Sequence, residues 1–249
     1  MPQPTISIIT ACYNARETIS ETLSSVIDQR YPNTELIVID GGSTDGTVDV
    51  IKSFGGAINH LISEPDRGLA DAWNKGLACS TGSIIGLLNA DDYYRRDTFE
   101  GIASAFEAWA EPVIGYGDVT LIDKDRVIAT IVGRRKRRIG LVNGFGFMHP
   151  SVVFNRGVLA ANGLFDTKRR VAVDTDWLLR AVMNQVAFRK IPSHTYMRCG
   201  GMSMRSPYTG MGEYLDSLVR YKFPGYYVPL FLLLRSLGAT RRMLRKRAD

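Results

Sequence analysis

Residues 35–47 read ELIVIDGGSTDGT, and this stretch decides the fold. Leu36–Ile39 is a short apolar, partly β-branched run, which reads as a buried strand. The run stops at Asp40 and passes through Gly41, Gly42 and Ser43, with Ser43, Thr44 and Asp45 as candidate caps for a following helix. A buried strand that ends on a carboxylate and turns through glycines into a helix is the repeating unit of an α/β sheet.

The same grammar recurs on both sides. Upstream, Thr5–Ala11 is a buried strand leading to Tyr13-Asn14, and Ile19, Leu23, Val26 and Ile27 share one helical stripe that stops near Pro32. Downstream, His60–Ser63 leads to Glu64-Pro65-Asp66-Arg67-Gly68, and Gly68–Cys79 has a helical pattern. Ile84–Leu88 ends at Asn89-Ala90-Asp91-Asp92, and Asp97–Ala110 is the next helix. This alternation predicts a mostly parallel sheet with helices on both faces. The second half is less regular. Val113–Asp118, Thr120–Ile122 and Val127–Val132 resemble strands around a turn at Lys124-Asp125-Arg126, and Ser151–Phe154 is a short strand. A helix is expected from Trp177, just after Asp174 and Asp176. The expected organisation is two halves of one domain, 1–115 and 116–218, with a tail over 219–249.

A chain of 249 residues, 45% hydrophobic and 22% charged, is an ordinary folded protein, which excludes disorder, collagen-like repeats and coiled coil. No apolar run reaches the roughly 18 residues that span a bilayer. Cys12, Cys79 and Cys199 are too scattered for a disulfide framework or a CxxC metal site, so a reducing, cytoplasmic compartment is expected. The N-terminus lacks the basic region and cleavage site of a signal peptide. The net charge of +6 is unevenly spread: Arg134–Arg138 and the end of the tail, residues 235–249, each carry +5, leaving the rest at −4. In that tail Leu230, Leu233, Leu234, Leu237 and Leu244 share one helical face and Arg235, Arg242 and Lys246 lie off it. This predicts an amphipathic helix on an anionic membrane surface, the alternative being a helix packed on the domain.

In open α/β sheets ligands bind beyond the carboxyl ends of the strands, and here four such ends carry polar clusters. Asp40 with Gly41–Ser43 suits ribose hydroxyls or a base N–H, or forms an ordinary capped turn. Adjacent carboxylates such as Asp91 and Asp92 repel unless a cation lies beside them, so they suit a hard divalent ion bridging to a diphosphate. Alternatively, one of them caps the next helix. Of Asp174 and Asp176, one is a candidate helix cap and the other a candidate general base; both are otherwise solvated.

Taken in order, ISIITACYNA (6–15), ELIVIDGGSTDGT (35–47), SEPDRGLADAWNKG (63–76), TGSIIGLLNADD (81–92), HPSVVFNR (149–156) and VDTDWLLR (173–180) resemble the family 2 glycosyltransferases with the GT-A fold. The resemblance implies a nucleotide-sugar-binding first half and an acceptor-binding half that carries the base. It places Asp174 as catalytic base and Ala11, Tyr13, Asp40, Ser43, Asp66, Asp71, Asn74, Lys75, Asn89 and Asp91 at the donor. His149 and Asp176 fall at the acceptor or phosphate, and Asp92 with Asp91 at a Mg²⁺ or Mn²⁺ ion. The implied reaction is inverting, metal-dependent transfer from a UDP-sugar, or a GDP-sugar, to a saccharide or lipid-linked acceptor in cell-surface polysaccharide or glycolipid synthesis. The implied location is the inner face of the cell membrane.

Three positions depart from the family pattern. Gly41 replaces a base-contacting Asp, Asn89 replaces the first acid of the D-x-D motif, and Val173 replaces the Glu of a Glu-Asp pair. A Gln-x-x-Arg-Trp motif is absent, which implies one sugar per encounter. A sugar-nucleotide nucleotidyltransferase would carry a Gly-rich basic phosphate loop after the first strand, where this chain has Tyr13-Asn14-Ala15-Arg16. A catalytically inert sugar-nucleotide-binding protein has no need of Asp92 and Asp174. Nucleic acid is not an expected partner, because the basic residues form two compact blocks without interleaved aromatics.

Overall fold

β1 (Ile6–Cys12) is buried along its whole length, with β2 (Thr34–Asp40) and β4 (Ile84–Asn89) paired parallel on either side of it. β3 (His60–Ser63) extends β2, again in parallel. The structure, a computed structural model, describes residues 3–124, 126–135, 141, 144–225 and 229. Alternation along the strands sorts the core into two layers, because successive side chains point to opposite faces. Ile9, Ile37, Ile39 and Leu87 meet Trp73 and Leu77 of α3 (Leu69–Cys79), and Trp177 of α6 (Val173–Met183) joins the same cluster. Ile6, Ile8, Leu36 and Val38 face the other way, towards Leu23 of α1 (Ile19–Ile27) and Ile102 of α4 (Phe99–Glu107). Burial on both faces is why these strands read as continuous apolar runs.

The sheet is mixed in its second half. β8 (Val152–Asn155) runs antiparallel between β4 and β6 (Val113–Asp123), so β6 points the same way as β4. β9 (Ala187–Arg198) is parallel to β6, β5 (Tyr93–Tyr94) is antiparallel to β9, and β7 (Arg126–Ile131) is antiparallel to β6. The carboxyl ends of β1, β2, β4, β6 and β9 therefore share one edge.

The two strands expected over 113–122 are one, and the expected boundary at residue 115 falls inside it. The register with β9 slips between Tyr116 and Asp118, and a Cβ on Gly117 would lie 2.1 Å from the Ser193 carbonyl oxygen. That slip also absorbs Pro192, which makes β9 hard to read as a strand, since proline removes a ladder donor. The boundary expected at 218 falls in the last turn of α8 (Pro207–Arg220). The helix start expected at Trp177 lies four residues earlier, so Asp174 and Asp176 sit inside the first turn of α6. α2 (Thr47–Ser53) begins after Gly46, and Asp45 alone of its three candidate caps holds its entrance, accepting the Thr47 N–H at 2.9 Å. The amphipathic helix expected over 226–247 and the basic residues 136–138 lie outside the described residues. Among the described residues no helix is long and apolar enough to cross a membrane.

α3 approaches β1 closely because Gly76 has no side chain: a Cβ there would lie 2.2 Å from Ile9 Cγ2. Gly76→Ala should destabilise the protein by about 1–3 kcal/mol, as overpacking does. The melting temperature should fall by roughly 2–4 °C per kcal/mol in calorimetry. An unchanged melting temperature would show that the helix can slide outward at no cost.

Candidate functional site

The loops after β1 and β2 are tied to each other. Asn14 takes a positive φ, its amide oxygen accepts the Thr44 N–H at 2.9 Å, and its own N–H donates to Ser43 Oγ at 2.7 Å. Asp40, fully buried, anchors the arrangement. It accepts from Gly42 N–H, Ser43 N–H, Ser43 Oγ and Ser63 Oγ, with Cys12 Sγ at 3.6 Å. Burial opposes its charge, but the hydrogen bonds from Ser43 and Ser63 prevail and hold its carboxyl below the usual carboxylate range. The structure thus turns Asp40 and Ser43 inward to shape the loop. Ala11 is nearly buried between Ile39 and Asn89, whereas Tyr13 stands 65% exposed at the end of β1.

The segment before α3 presents one carboxylate and pins the others. Asp66 accepts Gly68 N–H through Oδ1 at 2.8 Å, and its Oδ2 lies 2.6 Å from where a Cβ on Gly41 would stand. Asp66 therefore fills the space that a side chain at 41 would take. Asp71 pairs with Arg67 at 3.0 Å, and Lys75 pairs with Glu64 at 2.7 Å. Asn74 both donates to and accepts from the Phe165 backbone, at 2.9 and 3.0 Å. These three donor-site candidates fasten α3 to its neighbouring loops.

β4 delivers Asn89, Asp91 and Asp92 to the shared edge. Asp92 is 2% exposed, and its Oδ1 accepts the Arg198 N–H at 3.2 Å. Burial, then the adjacent Asp91, push its carboxyl well above the usual range. Asp91 is the more open of the pair. Burial raises it too, against the pull of Arg198, His149 and Arg205. Arg198 donates to the Asp91 carbonyl at 2.8 Å, bonds Glu21, and lies over the Tyr93 ring. His149 stacks on Trp73 with centroids 4.8 Å apart. Burial lowers its pKa against the pull of Asp174 and Asp91, so it is neutral at neutral pH. His149 is thus the group that senses both Asp174 and Asp91. Three buried polar atoms here have no hydrogen-bond partner among the described residues: Asn89 Oδ1, His149 Nε2 and Trp73 Nε1. Buried polar groups are nearly always hydrogen-bonded, so this is where a polar ligand is owed.

The two carboxylates of α6 have opposite environments. Asp174 is half-buried, and among the described residues Thr175 Oγ1 at 3.3 Å is its one hydrogen-bond donor. Asp176, expected at the acceptor or phosphate, is instead bonded to groups before α6 and on or after α8. Its 1% exposed carboxylate takes Arg169 Nε at 3.1 Å, Ser217 Oγ at 2.6 Å and Tyr221 Oη at 2.9 Å, clamping α6 to α8. Glu213 of α8 accepts the N–H groups of Arg170, Val171 and Ala172 at 2.8–2.9 Å, the turn that enters α6 just before Asp174. Neither Glu213 nor Arg198 carries a sequence signal: Glu213 is one polar position of an amphipathic helix, and β9 is interrupted by Pro192. Trp73 is hidden in an apolar helical stripe.

The sequence profile of Glycosyl transferase family 2 matches residues 7–161, more than half of the chain. The chain belongs to that family. A PGL/p-HBAD biosynthesis glycosyltransferase of Mycobacterium bovis is 29% identical over 221 residues, covering 82% of this chain and 80% of the relative. The putative teichuronic acid biosynthesis glycosyltransferase TuaG of Bacillus subtilis is 38% identical over 101 residues, 39% of this chain and 40% of that protein. The structure of S. aureus TarS 1-349 in complex with UDP-GlcNAc superposes with a TM-score of 0.67 at 18% identity, over 87% of this chain and 65% of that one. The mannosyltransferase PcManGT of Pyrobaculum calidifontis, in complex with GDP-Man and Mn²⁺, gives 0.59 at 19% identity, over 99% and 80%. This protein is a glycosyltransferase with the GT-A fold.

In this glycosyltransferase the family's divalent ion would meet oxygen donors alone: Asp91, the remaining oxygen of Asp92, and Asn89 Oδ1. Among the described residues no three His, Cys, Asp or Glu side chains converge as a metal cage. The set fits a hard ion that draws its other ligands from a diphosphate and water.

Glu213→Gln removes one of the two acceptor oxygens that hold the turn before Asp174. It should lower the unfolding free energy by about 1–3 kcal/mol in urea titration, the cost of stranding partly buried donors. Stability equal to the parent would show that water replaces the carboxylate.

Proposed function

We propose that this glycosyltransferase moves one sugar per encounter, with inversion, from a nucleoside diphosphate sugar to a hydroxyl of a saccharide or lipid-linked acceptor in cell-surface glycan or glycolipid synthesis. The observation that supports this reading is that buried His149, stacked on Trp73, feels the charges of both Asp91, just after β4, and Asp174, in the first turn of α6. UDP-sugar is the favoured donor; GDP-sugar remains the second choice, because Gly41 removes the acidic side chain that many relatives use to read the base. The names of the mycobacterial and Bacillus relatives support the acceptor class, and the nucleotide sugars held by the TarS and PcManGT structures support the donor class.

On this reading Tyr13 offers an exposed face to the base, and Asp66 offers a carboxylate oxygen through the gap at Gly41. Asp40, Asp71, Asn74 and Lys75 hold the loops that carry these groups. Asp91, Asp92 and Asn89 would hold the Mg²⁺ or Mn²⁺, which when bound offsets the charge gathering on the leaving diphosphate. Asp174 accepts the proton of the acceptor hydroxyl as its oxygen bonds to the anomeric carbon and the bond to the diphosphate breaks. A single side-chain base suffices, because the diphosphate leaves without a proton. A glycosidase would need a second carboxyl group as acid. His149, neutral and orphaned at Nε2, is placed to hydrogen-bond the acceptor or a phosphate oxygen.

Asp174→Asn should keep nucleotide binding and reduce turnover by roughly 10²–10⁴-fold, the usual share of a general base. Parent-like turnover would remove Asp174 from the base role. Thermal shift with UDP, GDP, CMP and dTDP, each with and without Mn²⁺, should show the largest metal-dependent stabilisation with UDP. A flat response to all four would remove the donor assignment.

A further inference from the structure

Among the described residues, the β6–β7 ribbon and the segment after it group three exposed apolar side chains that the transfer chemistry does not use. Val127 is 65% exposed, Ile128 57% and Val132 50%. The ladder with β6 slips here, since Leu121 pairs with Ala129 and Ile122 with Val127, so Ile128 is the extra, unpaired residue of a β-bulge beside Val127. Every residue from Arg126 to Thr130 is exposed, and β7 pairs only with β6 among the described strands. The ribbon lies on the active-site edge of the sheet. Ile122 of β6 pairs with Arg198 of β9, the Cys199 N–H donates to the Ile122 carbonyl at 2.8 Å, and the Arg198 N–H reaches Asp92. The turn beyond Ile122 therefore projects past the same edge that carries Asp91 and Asp92.

Charge selects the occupant. Residues 123–138 hold Lys124, Arg126, Arg134, Arg135, Lys136, Arg137 and Arg138 against Asp123 and Asp125. Of these cations, the side chains of Lys124, Arg126, Arg134 and Arg135 are exposed. Exposed apolar side chains on a narrow ribbon, flanked by cations, match an anionic lipid interface, where the former enter the acyl boundary and the latter meet headgroups. A second copy of the chain fits less well, because it would set the cations of one ribbon against those of the other.

We propose that the β6–β7 ribbon docks on an anionic lipid surface and sets the open edge of the cleft against it. The value of that orientation for a lipid-linked acceptor rests on the function proposed above; the docking itself does not.

The test is co-sedimentation of the full chain with sucrose-loaded vesicles of phosphatidylglycerol and phosphatidylcholine, and with phosphatidylcholine vesicles alone. Binding is expected to the anionic vesicles only and to weaken with salt. The double variant Val127→Ser/Ile128→Ser should keep the parent melting temperature and lose roughly tenfold in partition, from the apolar groups withdrawn. Arg134→Ser/Arg135→Ser, as a second variant, should weaken binding and flatten its salt dependence. Parent-like binding by both variants, or equal binding to neutral vesicles, overturns the proposal. So does a parent dimer in sedimentation equilibrium that the Val127→Ser/Ile128→Ser variant converts to a monomer, which would make a second copy the occupant. No sugar or nucleotide enters the assay, so its failure leaves the transferase reading standing, and failure of the nucleotide panel leaves the docking standing.

Discussion

Two adjacent carboxylates, Asp91 and Asp92, are held at the end of β4 with too little water around them to carry both charges easily. The sheet enforces this. β1 and β8 flank β4 on both sides, β9 closes over Asp92 through the Arg198 N–H, and burial raises both carboxyl groups above their ordinary range. Like charges this close are a cost that folding alone has no reason to bear. The neighbourhood offsets it only in part: Arg198 spends its guanidinium on the Asp91 carbonyl and on Glu21, and His149 is kept neutral by its own burial. On the function proposed above, the positive charge that this site lacks among its described neighbours would come from a cation held with the substrate.

The other carboxylates divide by how many donors they have. Asp40 has four oxygen- and nitrogen-bound donors, Asp176 has three and Glu213 has three, and these residues hold loops or helices in place. Asp174 has one from a neighbouring hydroxyl, and Asp66 spends one oxygen on a backbone N–H while the other faces Gly41. A carboxylate already saturated by the fold contributes shape. One left with open lone pairs is a candidate for chemistry, the role proposed above for Asp174. Proximity in sequence misleads here, since Asp174 and Asp176 are two residues apart on α6 and fall on opposite sides of this division.

That division explains what was legible beforehand. The first four parallel strands and their helices follow from apolar runs punctuated by glycine and acid, because strands buried on both faces have little freedom in composition. The strand ends that carry Asp66 and Asp91 were legible for the same reason. What the sequence hid was partnership. Nothing in LADAWNKG shows that Asn74 is committed to the Phe165 backbone 91 residues away, or that Trp73 forms a platform for His149. β9 escaped because Pro192 interrupts it, and only the slip beside Gly117 makes room for that proline. Glu213 escaped because its importance lies in three backbone groups near Asp174, and backbone donors leave no mark on composition.

The basic residues divide in the same way. Arg198 and Arg205 act on Asp91, so their charge belongs to the cleft. Lys124 and Arg126 ride on a ribbon whose backbone carries them outward past the sheet edge, and screening over about 8–10 Å weakens their hold on the carboxylates within. Arg135 lies over Phe188, with its backbone N–H on Tyr116 Oη, which fixes its root to the domain. Among the described residues the cations thus fall into two populations. Arg198 and Arg205 temper the charge of Asp91, while Lys124 and Arg126 stand beyond the end of β6, whose ladder with β9 runs up to Arg198.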